Sequence, residues 1–161
     1  MKVVKTDKAP AAIGPYSQAR IVNGLVYASG QIPIIPETGE LAIGLEGQAN
    51  QVFKNIAALL EAAGTDISKT VKTTLFIKHM DDFAAINAIY AQYFTEPYPA
   101  RSCVEVARLP KDVLLECEVI AALSRCFPDK SFFRRQSPAA MQIGQPCLSA
   151  CILDKCQQHP L

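Results

Sequence analysis

No stretch of this chain is long and apolar enough to cross a membrane. The longest apolar runs, such as Ala57-Ala58-Leu59-Leu60 and Val119 to Leu123, fall far short of the ~20 residues a spanning helix needs. The N-terminus, Met1-Lys2-Val3-Val4-Lys5-Thr6-Asp7-Lys8, lacks the apolar segment of an export signal, so the cytoplasm is the expected address. A dominant charge is missing too. The formal net charge is +1, and no overall field directs the protein to nucleic acid or an anionic surface. Histidine is scarce, with His79 the only one before residue 125. Residues 1–124 hold no Ser-His-Asp pattern, no phosphate-cradling glycine loop and no cluster of metal ligands. His79 itself, after a strand pattern and before Met80-Asp81-Asp82, reads as a surface loop residue. Any reaction here must run without a cofactor or a histidine base.

What is present is ample apolar material. Half of the 161 residues are hydrophobic, enough for a real core, and the length suits about one domain. Composition breaks near Ser124. Residues 1–124 carry 11 Lys+Arg and 13 Asp+Glu, a net of −2, while residues 125–161 carry 5 and 2, a net of +3. The last segment also holds four of the six cysteines and four of the eleven prolines. It has no sustained apolar period and reads as an appended, poorly ordered segment beside one compact domain of residues 1–124.

Both structural periods run through that domain. Tyr16 to Val22, Asn23-Gly24, then Leu25 to Ser29 reads as a hairpin, since Asn-Gly suits the two positive-φ positions of a type I′ turn. Leu45, Ala49, Val52, Ile56, Leu59 and Ala63 line one face of a helix that Gly64 terminates. Val71 to Lys78 is β-branched and alternating. Asp81-Asp82 is placed to cap a second helix whose apolar face is Phe83, Ile86, Tyr90 and Tyr93. Ser102 to Ala107 and Val113 to Leu123 follow as strands, with Val3-Val4 as a further edge strand. The class is α/β in the mixed, α+β sense: about six strands with two helices on one face. Several strands are apolar on both faces, and an uncovered apolar sheet face argues for a homo-oligomer.

Two residues stand out chemically. Arg101 follows Glu96-Pro97-Tyr98-Pro99-Ala100, a lead-in stiffened by two prolines. Its guanidinium is a planar fork matched to a carboxylate; the plainer alternative is a surface pair with Glu105 or Glu96. Glu116 lies in an apolar strand, where a carboxylate is costly unless it is paired. It could serve as a general base or orient a water, or lie on a solvated face or in a subunit-interface ion pair. Strict alternation puts Leu114, Glu116, Glu118 and Ile120 on one face and Leu115, Cys117 and Val119 on the other. Cys103 and Cys117 have no adjacent base to form a thiolate and read as small core residues.

Several segments together resemble a known family. They are Gly14-Pro15-Tyr16-Ser17-Gln18-Ala19, Ser29-Gly30-Gln31-Ile32, Asn87-Ala88-Ile89-Tyr90, Pro99-Ala100-Arg101-Ser102-Cys103-Val104-Glu105-Val106, and Leu109-Pro110 leading into Glu116-Cys117-Glu118. In order and over residues 3–123, they resemble the reactive intermediate deaminase A (RidA, or YjgF) family. The resemblance implies a chorismate mutase-like fold and a homotrimer with sites in the clefts between subunits. It implies cofactor-free hydrolysis of 2-imino and 2-enamino acids, such as 2-aminoacrylate, to 2-keto acids and ammonia. Such intermediates leak from pyridoxal phosphate enzymes. It further implies Arg101 on the substrate carboxylate, Glu116 on the attacking water, and Tyr16, Ser29, Gly30, Cys103 and Asn87 lining the pocket. Two alternatives stay open: endoribonuclease or translation-inhibiting activity, against which the domain's net −2 argues, and a non-catalytic keto-acid-binding or chaperone-like trimer. The likeness ends near Ser124. For residues 125–161 a shifted frame or cloning extension, a genuine tail, and a metal module built on Cys147, Cys151, Cys156 and His159 compete.

Overall fold

The computed structural model describes residues 1–124; the expectations for residues 125–161 lie outside the described residues. Among the described residues six strands and two helices follow one another: β1 (Lys2–Val4), β2 (Ala19–Val22), β3 (Leu25–Gln31), α1 (Gly44–Ala63), β4 (Thr70–Ile77), α2 (Phe83–Tyr93), β5 (Ala100–Glu105) and β6 (Leu115–Ala122). They form one mixed sheet in the order β1-β2-β3-β6-β4-β5. Every neighbouring pair is antiparallel except β4 and β5, which α2 joins as a parallel crossover. β1 and β5 are the two edges.

The β2–β3 hairpin turns on Asn23 at φ 49 and Gly24 at φ 78, the paired left-handed geometry that the sequence predicts. A Cβ at Gly24 would meet no neighbour, so the cost of a side chain there is purely torsional. Gly24→Ala should therefore lower stability by ~1–2 kcal/mol, read as a shift in the urea midpoint with an unchanged slope.

The core lies between the helices and one sheet face. α1 buries Ala49, Val52, Phe53, Ile56, Leu59, Leu60 and Ala63, and Gly64 ends it at φ 88. β6 alternates as expected. Leu115, Cys117, Val119 and Ala121 are buried, whereas Glu116, Glu118 and Ile120 keep solvent contact. Among the described residues nothing packs over the opposite face. There Tyr27, Lys72, Thr74, Glu118 and Ile120 border an open depression.

Three local readings are corrected. The hairpin's first strand begins at Ala19 rather than Tyr16, because Tyr16 turns back on the Gly14 carbonyl. Beside it, the Gln18 side chain donates to the carbonyls of Thr6, Ala9 and Pro10. Asp81 and Asp82 sit in a 3₁₀ turn, and neither side chain caps α2. Asp82 already has helical torsions (φ −79, ψ −7), whereas a capping residue needs extended backbone. Instead the Met80 N–H donates to Glu105 Oε2 at 2.6 Å. On α2 the buried residues are Ile86, Ile89 and Tyr90; Phe83 stays partly exposed, for a reason found at its neighbour Arg101.

Candidate active site

β5 places Arg101 at the sheet edge. Its register partner on β4 is Thr73, which is wholly buried under the helices, so Arg101 projects on the helix-covered side. Neither expected carboxylate pairs with it. Glu105 is taken by the Met80 N–H, and the ion pairs among the described residues are Lys8–Glu61 and Lys78–Asp112. Arg101 instead donates from Nη1 to Asn87 Oδ1 at 2.7 Å. Its Cζ lies 4.8 Å from the Tyr90 ring centroid and 5.4 Å from that of Phe83. The guanidinium is thus held by an amide and two rings, and among the described residues its charge meets no carboxylate and its other nitrogens find no hydrogen-bond acceptor. A cleft of about 520 Å³ opens beside it, lined by Asn87, Tyr90, Ala91, Tyr98, Pro99 and Arg101. A fixed guanidinium at a cleft, without a carboxylate partner among the described residues, is equipped to receive an anion.

Glu116 forms a second cluster. A β-bulge between β3 and β6 puts Ser29 and Gly30 opposite a single residue. The bulge brings the Gly30 backbone so close to Glu116 that a Cβ there would lie 1.8 Å from Oε1 and 2.7 Å from Cδ. Gly30 has no positive φ; the glycine is required for space, not torsion. Ser29 Oγ donates to the Ser17 carbonyl at 2.7 Å, tying the bulge to the Tyr16 turn, where the Tyr16 ring is half exposed. Desolvation, helped by the neighbouring Glu118 charge, raises the Glu116 carboxyl above its ordinary value. Such a group is a better proton acceptor than a surface carboxylate.

Cys103 lies two residues beyond Arg101, on the same face and packed partly into the core. Burial pushes its thiol up while the Arg101 charge pulls it down, with burial the larger effect. Cys117 is fully buried and its thiol is pushed far up by desolvation. Neither is poised as a thiolate. Among the described residues no group of His, Cys, Asp and Glu is arranged to hold a metal, and no helix is long and apolar enough to cross a membrane.

The candidate residues therefore fall into two sets. Arg101, Asn87 and Cys103 gather at the β5 edge on the helix side; Tyr16, Ser29, Gly30 and Glu116 gather around the bulge. Arg101 aligns with Thr73 and Val119, whereas Glu116 aligns with Phe76 and Val104. That offset of two strands and three residues separates their Cα atoms by about 14 Å. The two side chains also leave opposite faces of the sheet. Tyr90 and Phe83, which orient Arg101, were legible only as apolar helix positions.

Residues 6–123 match the model of the family described as Endoribonuclease L-PSP. A Salmonella typhimurium relative named 2-iminobutanoate/2-iminopropanoate deaminase is 52% identical over 123 residues, covering 74% of this chain and 96% of that protein. The crystal structure of RidA from the Antarctic bacterium Psychrobacter superposes with a TM-score of 0.75 at 46% identity, over 76% of this chain and 100% of that one. The crystal structure of E. coli TdcF with bound serine gives 0.74 at 47% identity, over 77% and 100%.

Proposed function

The chain belongs to the Endoribonuclease L-PSP family, within which its similar relatives carry the deaminase and RidA names, and from that premise we propose that it hydrolyses 2-imino acids and their 2-enamino tautomers to 2-keto acids and ammonia. The observation that carries this reading is Arg101, an oriented guanidinium without a carboxylate partner among the described residues, at the mouth of a cleft. A 2-imino acid offers a planar carboxylate to that fork and an electrophilic C2 next to it. The serine bound in the TdcF structure is a 2-amino acid of matching size and carboxylate.

In the proposed reaction Arg101 fixes the substrate carboxylate. Glu116 accepts a proton from a water as the water oxygen bonds to C2, and the C=N π electrons pass to the protonated nitrogen. Glu116 passes that proton to the nitrogen of the resulting carbinolamine, then takes up the hydroxyl proton as the carbonyl forms and the C–N bond breaks, so that ammonia leaves and the keto acid remains. Orientation alone can lower such a barrier by ~7–11 kcal/mol. Cys103 and Asn87 would line the carboxylate end, and Tyr16, Ser29 and Gly30 the water end.

Arg101 and Glu116 of one protomer cannot reach one small substrate from opposite sheet faces. The proposed site is therefore composite: the β5 edge of one copy meets the Glu116 face and bulge of the next, as in the homotrimer with shared clefts that the family resemblance implies. The depression bordered by Tyr27, Lys72, Thr74, Glu118 and Ile120 supports this as the surface a neighbour covers. Substrate would come from pyridoxal phosphate enzymes that eliminate water from hydroxy-amino acids, such as threonine dehydratase.

The experiment adds purified protein to a running dehydratase reaction and follows keto-acid release against chemical trapping of the imine. Release should accelerate and trapping fall, with sedimentation equilibrium giving three times the 17.5 kDa chain mass. Unchanged release alongside cleavage of single-stranded RNA would replace the reading with the nuclease one.

A further inference from the structure

Asn87 holds Arg101 by one nitrogen, which alone would let the guanidinium plane swing. Tyr90 adds the missing constraint. It lies on α2 three residues after Asn87, one turn along the same face, and is only 4% exposed. Its hydroxyl hydrogen-bonds Thr73 Oγ1 at 3.0 Å, and Thr73 is the β4 residue in register with Arg101. Phe94 stacks on its ring at 4.3 Å between centroids, and Phe53 meets it edge-on at 5.8 Å. The ring is therefore immobile on the core side while the Arg101 Cζ lies 4.8 Å from its centroid. Phe83 supplies a second ring at 5.4 Å, which accounts for its partly exposed position.

We infer that Tyr90 is a positioning residue for the proposed deaminase: its ring face, locked to Thr73 and the Phe53–Phe94 cluster, sets the guanidinium plane in which Arg101 meets a 2-imino acid carboxylate. This rests on reading Arg101 as the carboxylate anchor. A cation over an electron-rich ring is attracted to its negative face, so ring and cation form an oriented pair before substrate arrives. Pre-orientation removes an ordering cost from binding. The effect belongs in KM rather than in the chemical step.

The test replaces Tyr90 with phenylalanine and then with mono-, di- and trifluorinated phenylalanines, which keep the ring's shape while withdrawing charge from its face. Tyr90→Phe should lower the melting temperature, because the buried Thr73 hydroxyl loses its partner, but leave KM within about twofold. Each added fluorine should then raise KM stepwise, to roughly 3- to 30-fold for the trifluoro ring, with kcat nearly constant. Deletion of the exposed ring by Phe83→Leu should raise KM by a smaller factor with the fold intact. A KM that stays flat across the fluorine series, or a series in which kcat and melting temperature fall together, would overturn the positioning role. Arg101→Ala, measured alongside, separates the two failures. If it keeps full activity, the anchor reading itself is lost; if it is inactive while the fluorine series is flat, only the role of Tyr90 is lost.

Discussion

Arg101→Ala is expected to abolish accelerated imine hydrolysis while leaving the circular dichroism spectrum unchanged. The side chain is exposed and makes no ion pair among the described residues. What it gives up on truncation is one bond to Asn87 and its contacts with two rings, all at a sheet edge rather than in the core. Substrate loses much more. A charge-assisted bond to a carboxylate in a partly desolvated cleft is worth ~1.5–3 kcal/mol, or about 10- to 150-fold, before misorientation of C2 is counted. Arg101→Lys should remain severely impaired. An ammonium keeps the charge but offers a point donor, so it cannot hold Asn87 and present a planar fork to the substrate together. Initial rates of keto-acid release, with keto-acid binding by calorimetry, decide the matter. Near-normal deamination by a folded Arg101→Ala protein would remove Arg101 as the carboxylate anchor.

How far this arrangement could be read beforehand differs by scale. The α1 stripe from Ala49 to Ala63, the Asn23-Gly24 turn and the two-faced alternation of β6 are local patterns. The structure repeats them within a few residues. Strand order is another matter. Nothing in the β6 sequence says that it inserts between β3 and β4, because pairing across ninety residues leaves no periodic trace. The bulge at Ser29-Gly30 was equally hidden, since a glycine required for space looks like any other glycine until its neighbour's carboxylate is placed. Arg101 was conspicuous through its proline-stiffened lead-in, but its partners were not. The sequence offered Glu96 and Glu105 as nearby counter-charges, and the fold assigned Asn87, Tyr90 and Phe83 instead. Charges close in sequence were outcompeted by an amide and rings one helix away, because β5 and α2 are the arms of a single parallel crossover. The missed residues are those whose role is to hold another residue still.

Glu116→Gln and Gly30→Ala should damage turnover alike, by different routes. The glutamine keeps shape and hydrogen bonding but cannot take a proton, so kcat should fall by ~10²–10³-fold while keto-acid binding changes little. The alanine leaves the carboxylate in place chemically but cannot share its position, since the new Cβ would lie 1.8 Å from Oε1. Only the flexible end of Glu116 needs to yield, so the fold should survive and the displaced carboxylate should lose the water. A Gly30→Ala, Glu116→Gln double variant should then be hardly worse than either single one, as expected where both disable one function. The pH dependence follows from the raised Glu116 pKa. As the base it must be ionised, so turnover should rise with pH through a value above the ordinary 4.5 of a glutamate. Stability runs the other way. A carboxyl whose folded pKa is raised above its unfolded value stabilises the fold below the unfolded pKa, and that contribution is lost as pH rises through the folded pKa. Glu116→Gln should therefore flatten the activity limb and leave a protein at least as stable as the parent at neutral pH. An acid limb that persists unchanged in Glu116→Gln would assign the titration, and with it the proton transfer, to another group.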